Sequence, residues 1–128
     1  MIQRFIELGE GYSDIYELVE LARTNSHRVH RLLLLHTTKN ELPVVSPVVV
    51  LKTAGEGNLQ PLYVCREGIP DKEPSVKRLQ LFEEVSEELS LPIIPLEVKP
   101  SSDFNEVELY YNHIIGILRL NHLIPPMQ

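Results

Sequence analysis

The stretch RVHRLLLLHTT, residues 28–38, decides the fold. Leu32 to Leu35 form an unbroken apolar run with no polar position for the wet face of a surface helix, and no alternation of the kind a half-exposed strand shows. A backbone apolar on both sides suits a central strand with layers packed on both faces. The neighbouring segments extend that sheet. Residues 44–53, VVSPVVVLKT, are rich in β-branched side chains and read as a second strand, with Pro47 marking a late start or a bulge. AGEGN, residues 54–58, is a turn, and LQPLYVCRE, residues 59–67, is a return strand. Residues 48–67 are therefore expected to form a β-hairpin.

Helical spacing brackets this core. Ile15, Leu18, Val19 and Ala22 fall at i, i+3, i+4 and i+7, and TNS at 24–26 ends that helix. Ser13 or Asp14 serves as its cap, with Glu17 three residues after Asp14 as in a capping box. In SVKRLQLFEEVSEELS, residues 75–90, the buried stripe is Val76, Leu79, Phe82, Val85 and Leu89. LPIIPLEVKP, residues 91–100, is a short strand bracketed by prolines. Asp103 is placed to cap a final helix from about 104 to 123, whose stripe is Val107, Tyr111, Ile114, Ile115 and Leu118. Residues 2–8 fit either a strand or a helical lead-in, because Ile2, Phe5 and Ile6 follow the helical period. The expected fold is α/β: one domain over 1–128, with a mixed sheet of about four strands around a central hairpin, flanked by three helices in the order α-β-β-β-α-β-α.

Charge and composition narrow the partners. The chain has 128 residues, a net charge of −6 and one cysteine. Such an acidic chain is repelled by nucleic acid and by anionic membrane unless a local patch overrides the field. A single cysteine excludes an intrachain disulfide and favours a reducing, cytoplasmic setting. MIQRFIELGEG places acids where a signal peptide would be apolar. The apolar stretch at 109–124 is interrupted by Asn112, His113, Arg119, Asn121 and His122 and is too short for a comfortable span, so no membrane is expected.

Several motifs fail on inspection. Gly9-x-Gly11 with VVVLK at 48–52 superficially suggests the phosphate lid and lysine strand of a protein kinase. The third glycine position is Asp14, helical spacing follows it, and no catalytic His-Arg-Asp or metal-binding Asp-Phe-Gly motif occurs. The kinase reading is rejected. The α-β-β-β-α-β order resembles the core of restriction-endonuclease-like nucleases. Those need an acid-x-Lys on a hairpin strand to hold a metal and a water. Here Val50 stands two before Lys52, so that resemblance implies a fold without nuclease chemistry. His27, His30, His36, His113 and His122 show no zinc-ligand spacing. Cys65 reads as a buried, inert thiol and no nucleophile elbow is present. No catalytic residue, metal or cofactor is expected.

One charge pattern stands out. Arg23, Arg28, Arg31 and Lys39 occur between residues 23 and 40 with no acid among them, +4 within a chain of −6, which leaves −10 elsewhere. With His30 they form a candidate anion or phosphate site. The final helix is apolar on more than one side. Tyr110, Ile117 and Leu120 are candidates for a homodimer interface or for binding another protein.

MIQRFIELGEGYSDIYELVELARTNSHRV, together with LLLLHT, resembles an uncharacterised family of low-GC Gram-positive bacteria, a domain of unknown function. Some relatives carry a methylthioribose kinase label, which the residues above do not support. The resemblance implies a bacterial cytosolic protein and brings no catalytic residue. The expected function is thus non-enzymatic, through self-association or protein binding. The alternatives are a small anion-binding module using the 23–39 segment and a catalytically inactive nuclease-like domain.

Overall fold

A computed structural model describes residues 1–9, 14–65 and 68–126. Gly11, the candidate cap Ser13, the last two residues of the expected return strand and the tail at 127–128 lie outside the described residues. The elements are β1 (Ile2–Leu8), α1 (Asp14–Thr24), β2 (Val29–Lys39), β3 (Leu42–Leu51), β4 (Leu59–Cys65), β5 (Ile69–Pro70), α2 (Lys77–Leu89), β6 (Ile93–Glu97) and α3 (Val107–Leu120). The fold is α/β with a mixed sheet and three helices, as the sequence indicates. Among the described residues it has six strands rather than about four, because β1 and the two-residue β5 join the sheet.

The sheet order is β1-β4-β3-β2-β6, with β5 beside β3. β1 pairs in parallel with β4, and β2 in parallel with β6. β3 is antiparallel to β2, β4 and β5. Consequently β1, β4, β2 and β6 all point one way, and their carboxyl ends gather at one end of the sheet.

Leu32 to Leu35 do what their pattern requires. Leu32 and Leu34 face the layer of α1 and α2, while Leu33 and Leu35 face α3. Side chains alternate across a strand, so a run of four apolar residues feeds two cores at once. On one face Ile15, Leu18, Val19 and Ala22 of α1 meet Leu79, Phe82 and Val85 of α2. On the other, Tyr110, Ile114, Ile115 and Leu118 of α3 cover Phe5, Val48, Val50 and Leu62. Burial of each large aliphatic group contributes about 1.5–3 kcal/mol.

One open local reading is settled and others change. Residues 2–8 form a strand: Phe5 is drawn into the α3 core opposite Leu62, while Ile2 stays half exposed at the edge. The tight hairpin joins β2 to β3 through Asn40 and Glu41, both with positive φ, at 53° and 65°. The β3–β4 hairpin is paired only over Val48–Val50 and Leu62–Val64. β3 also runs straight through Pro47, which sits opposite Leu34. Pro47 lies between the β3 residues paired with β5 and those paired with β4, where a missing donor breaks no ladder bond on that side. Finally, α3 starts at Val107, with Glu106 as its N-cap residue and no side-chain cap; Asp103 belongs to the 3-10 turn Ser101–Asp103 before it. Among the described residues no helix is long and apolar enough to cross a membrane.

Candidate functional site

The gathered carboxyl ends of the strands open into a cleft of about 650 Å³ on the α3 face. Its floor is Leu35 of β2, Val44 and Ser46 of β3, and Val64 of β4. The alternation of each strand dictates this set: Leu35 lies opposite Ser46 and Thr37 opposite Val44, so all four share one face. Glu7, at the end of β1, stands at one side; Thr38, Lys39 and Asn40 stand at the other. In the sheet order three strand spacings separate β1 from β2, about 14 Å. A carboxylate and an ammonium thus mark opposite rims. The roof is the first two turns of α3, with Val107, Tyr110 and Tyr111, and the turn carrying Ser101 and Ser102 closes the end.

Polar groups within the cleft are fixed by packing. Phe5 and Tyr111 stack with ring centroids 4.7 Å apart, and Tyr110 packs against Phe104 at 5.5 Å. Burial pushes the Tyr110 phenol above its ordinary value, so it stays a neutral hydroxyl. Thr37 Oγ1 is buried without a hydrogen-bond partner among the described residues. A buried hydroxyl left unpaired costs about 1–3 kcal/mol. No side chain caps α3, and Val107 of its first turn lines the cleft, so an acceptor oxygen is favoured at that end.

At the edge of the cleft Cys65, one of its lining residues, forms a buried pair with Asp14. Asp14 opens α1 and is fully buried. Burial first, and then the Asp14 carboxylate that accepts the thiol's hydrogen bond, pushes the Cys65 thiol far up, against the opposing charge of Arg78. That thiol is protonated at neutral pH and is not a nucleophile. The helix N-terminus there carries its own anion in Asp14, and Glu17 folds back to within 2.9 Å of where a Cβ on Gly9 would stand. Gly9 itself has φ +47° and ends a strand paired in parallel, not one arm of the antiparallel hairpin that a kinase lid requires.

Over residues 1–124 the sequence matches one known family. The chain belongs to DUF7147, a domain of unknown function. No curated protein and no solved structure matches it.

The DUF7147 chain distributes its sequence-predicted site residues widely. Arg23 forms a bidentate pair with Glu88 of α2, at 2.9 and 2.7 Å, which staples the two helices. Arg28 donates to the Lys52 carbonyl at 2.9 Å, and Arg31 donates to the Leu123 carbonyl at 3.3 Å. His30 is partly buried. Desolvation, then the charges of Arg31 and Lys52, lower its pKa, so it adds no cation at neutral pH. Arg28, His30 and Arg31 lie at the amino end of β2 with Lys52. Lys39 lies at the other end, about 26 Å beyond Arg31 along the strand. The five residues therefore do not form one patch, and only Lys39 joins the cleft. Of the interface candidates, Tyr110 faces inward, Ile117 is half-buried on the flank of α3, and Leu120 is 81% exposed. Val107 is exposed at the cleft mouth rather than under the sheet. Val50, where a nuclease would need its acid, fills the α3 core.

Glu7, Thr37, Ser46 and Ser101 escaped sequence reasoning. Each comes from a different element, and no local spacing links them. The available signal was global: polar residues at the carboxyl ends of strands that share a direction.

Proposed function

We propose that this chain is a bacterial cytosolic binding protein that holds a small polar molecule in the cleft without converting it. The supporting observation is the cleft's position, outside the carboxyl ends of four co-directional strands, where open α/β sheets bind their ligands. Its size falls within the usual range for small-molecule sites, about 300–1,000 Å³. An apolar floor below hydroxyls, a carboxylate and an ammonium suits a molecule with one apolar face and several oxygens, of the size of a sugar or nucleoside. The unsatisfied Thr37 hydroxyl and the uncapped first turn of α3 would take its polar groups.

The test is two-dimensional amide NMR against separate sets of sugars, nucleosides and amino acids at millimolar concentration. Binding should shift the amides of Thr37, Ser46, Ser101 and Tyr111, and Ser46→Tyr should abolish the shifts while retaining the fold. Shifts confined to the amino end of β2 around Arg28 and Arg31 would favour the anion reading instead. No perturbation by any set would overturn the cleft reading.

A further inference from the structure

We propose that α3 pairs with α3 of a second copy in an antiparallel, two-fold contact, with Leu109 of each copy against Leu120 of the other and His113 seated over Gly116. The inward direction of α3 is set by Tyr110, Ile114 and Leu118, all buried. At 100° per residue, Leu109, His113, Gly116 and Leu120 lie on the outward half of the helix, about 100–160° from that direction. Two leucines thus occupy an outward line of the helix, at 51% and 81% exposure.

The spacing of this line is that of a coiled-coil seam, four, three and four residues. It is also palindromic. Reversing the helix about the midpoint between residues 114 and 115 exchanges 109 with 120 and 113 with 116. A stripe that reads the same in both directions is what an isologous antiparallel contact requires, because each residue must meet its own counterpart's partner. Gly116 supplies the hole. Nothing lies within 4 Å of where its Cβ would stand, so the outside of the helix is bare there. Glycine in a helix interior costs up to about 1 kcal/mol relative to alanine, and within the monomer no neighbour takes advantage of the space. The His113 ring, which also rests against Phe104 of its own copy with centroids 5.3 Å apart, fills it from the second helix.

Charge complements shape. Glu108 and Arg119 lie on the same flank of α3, and the two-fold brings Glu108 of one copy near Arg119 of the other. The Nε of Arg119 is already engaged with Gln3 at 2.6 Å, which holds the guanidinium in place on that flank. The cleft opens on the inner side of α3, so pairing on the outer side leaves it accessible.

Cross-linking tests the register. Leu109→Cys and Leu120→Cys are prepared as single variants and oxidised separately and mixed. The native Cys65 is buried and does not interfere. In the antiparallel register two copies of residue 109 lie about 16 Å apart, eleven rises of 1.5 Å. Each variant alone should remain uncross-linked, and the mixture should give a disulfide-linked heterodimer. Cross-linking of Leu109→Cys with itself would indicate a parallel contact and overturn the proposal. Light scattering over a dilution series gives the second measurement. Gly116→Leu and Leu120→Glu should each weaken association at least about tenfold with circular dichroism unchanged, whereas Leu42→Glu, on the hairpin and also exposed, should not. A wild-type mass of 14.7 kDa at every concentration would refute the dimer outright.

Discussion

At the scale of single residues, the most consequential pair is Asp14 and Cys65. A carboxylate and a thiol are buried together because each supports the other: the thiol donates and the carboxylate accepts. Packing at this point is also protection. Iodoacetamide or an aromatic disulfide reagent should leave the native thiol untouched at pH 8, and one thiol should react once guanidinium unfolds the chain. The pairing has a pH signature. Burial and Asp14 raise the folded-state value above the ordinary 9.0. The unfolded chain therefore loses its thiol proton first as pH rises. The stabilisation is complete below about pH 9 and is lost as pH rises above it. Tyr110 is displaced in the same direction and contributes to the same alkaline loss. The thiol's share is the difference between wild type and Cys65→Val in urea midpoints at pH 7 and pH 10. Equal slopes in the two proteins would show that Cys65 is not the titrating group.

At the scale of elements, legibility followed the range of the interactions that decide each segment. Leu32–Leu35 and the stripes of α1 and α2 were readable because their own periodicity states which faces are buried. Ile2–Leu8 was not, because an edge strand is defined by its neighbour: only pairing with β4 turns Phe5 inward and leaves Ile2 out. The inner face of α3 was half readable. Ile114, Ile115 and Leu118 were identified, but Val107 and Tyr110 exchanged roles, since the cleft removes the sheet from beneath the helix's first turn. The cleft itself was invisible, being assembled from strand ends far apart in sequence. The basic segment misled for the same reason: eight residues of extended strand carry Lys39 away from Arg31. The β2–β3 turn offers a direct check on element energetics. Two-residue turns with both φ values positive match the twist of a hairpin, and they favour Asn-Gly. Asn40 meets this preference, whereas Glu41 sits at φ 65° with a Cβ to accommodate. Glu41→Gly should raise stability by about 0.5–1 kcal/mol, the left-handed penalty removed exceeding the added freedom of the unfolded chain. Thermal denaturation would register this as a higher midpoint, and a lower midpoint would mean that Glu41 makes a contact worth more than the strain.

At the scale of the whole molecule, two apolar cores share one sheet. Neither is an independent unit, because β2, β3 and β4 contribute alternate residues to both: Leu32 and Val49 to one, Leu33 and Val48 to the other. Removing material from one core should therefore loosen the other. Phe82 of α2 is fully buried in the core shared with α1, and Phe82→Ala should cost about 3–5 kcal/mol. Leu118 of α3 is fully buried in the opposite core, and Leu118→Ala should cost about 2–5 kcal/mol. Against the 5–15 kcal/mol typical of a domain, either loss is a large fraction of the total. Native-state amide exchange separates a shared sheet from two stacked layers. If the sheet couples them, Leu118→Ala should reduce the protection of the slowest α2 amides, around Phe82, by the same free energy as those of α3. If the α3 layer opens by itself, α2 protection should stay at the wild-type level. The alternation in Leu32–Leu35 favours the first outcome: exposing Leu33 and Leu35 to water frees the same backbone that holds Leu32 and Leu34 in the opposite core, and the strand's ladder to β3 and β6 must yield before either face can be hydrated alone.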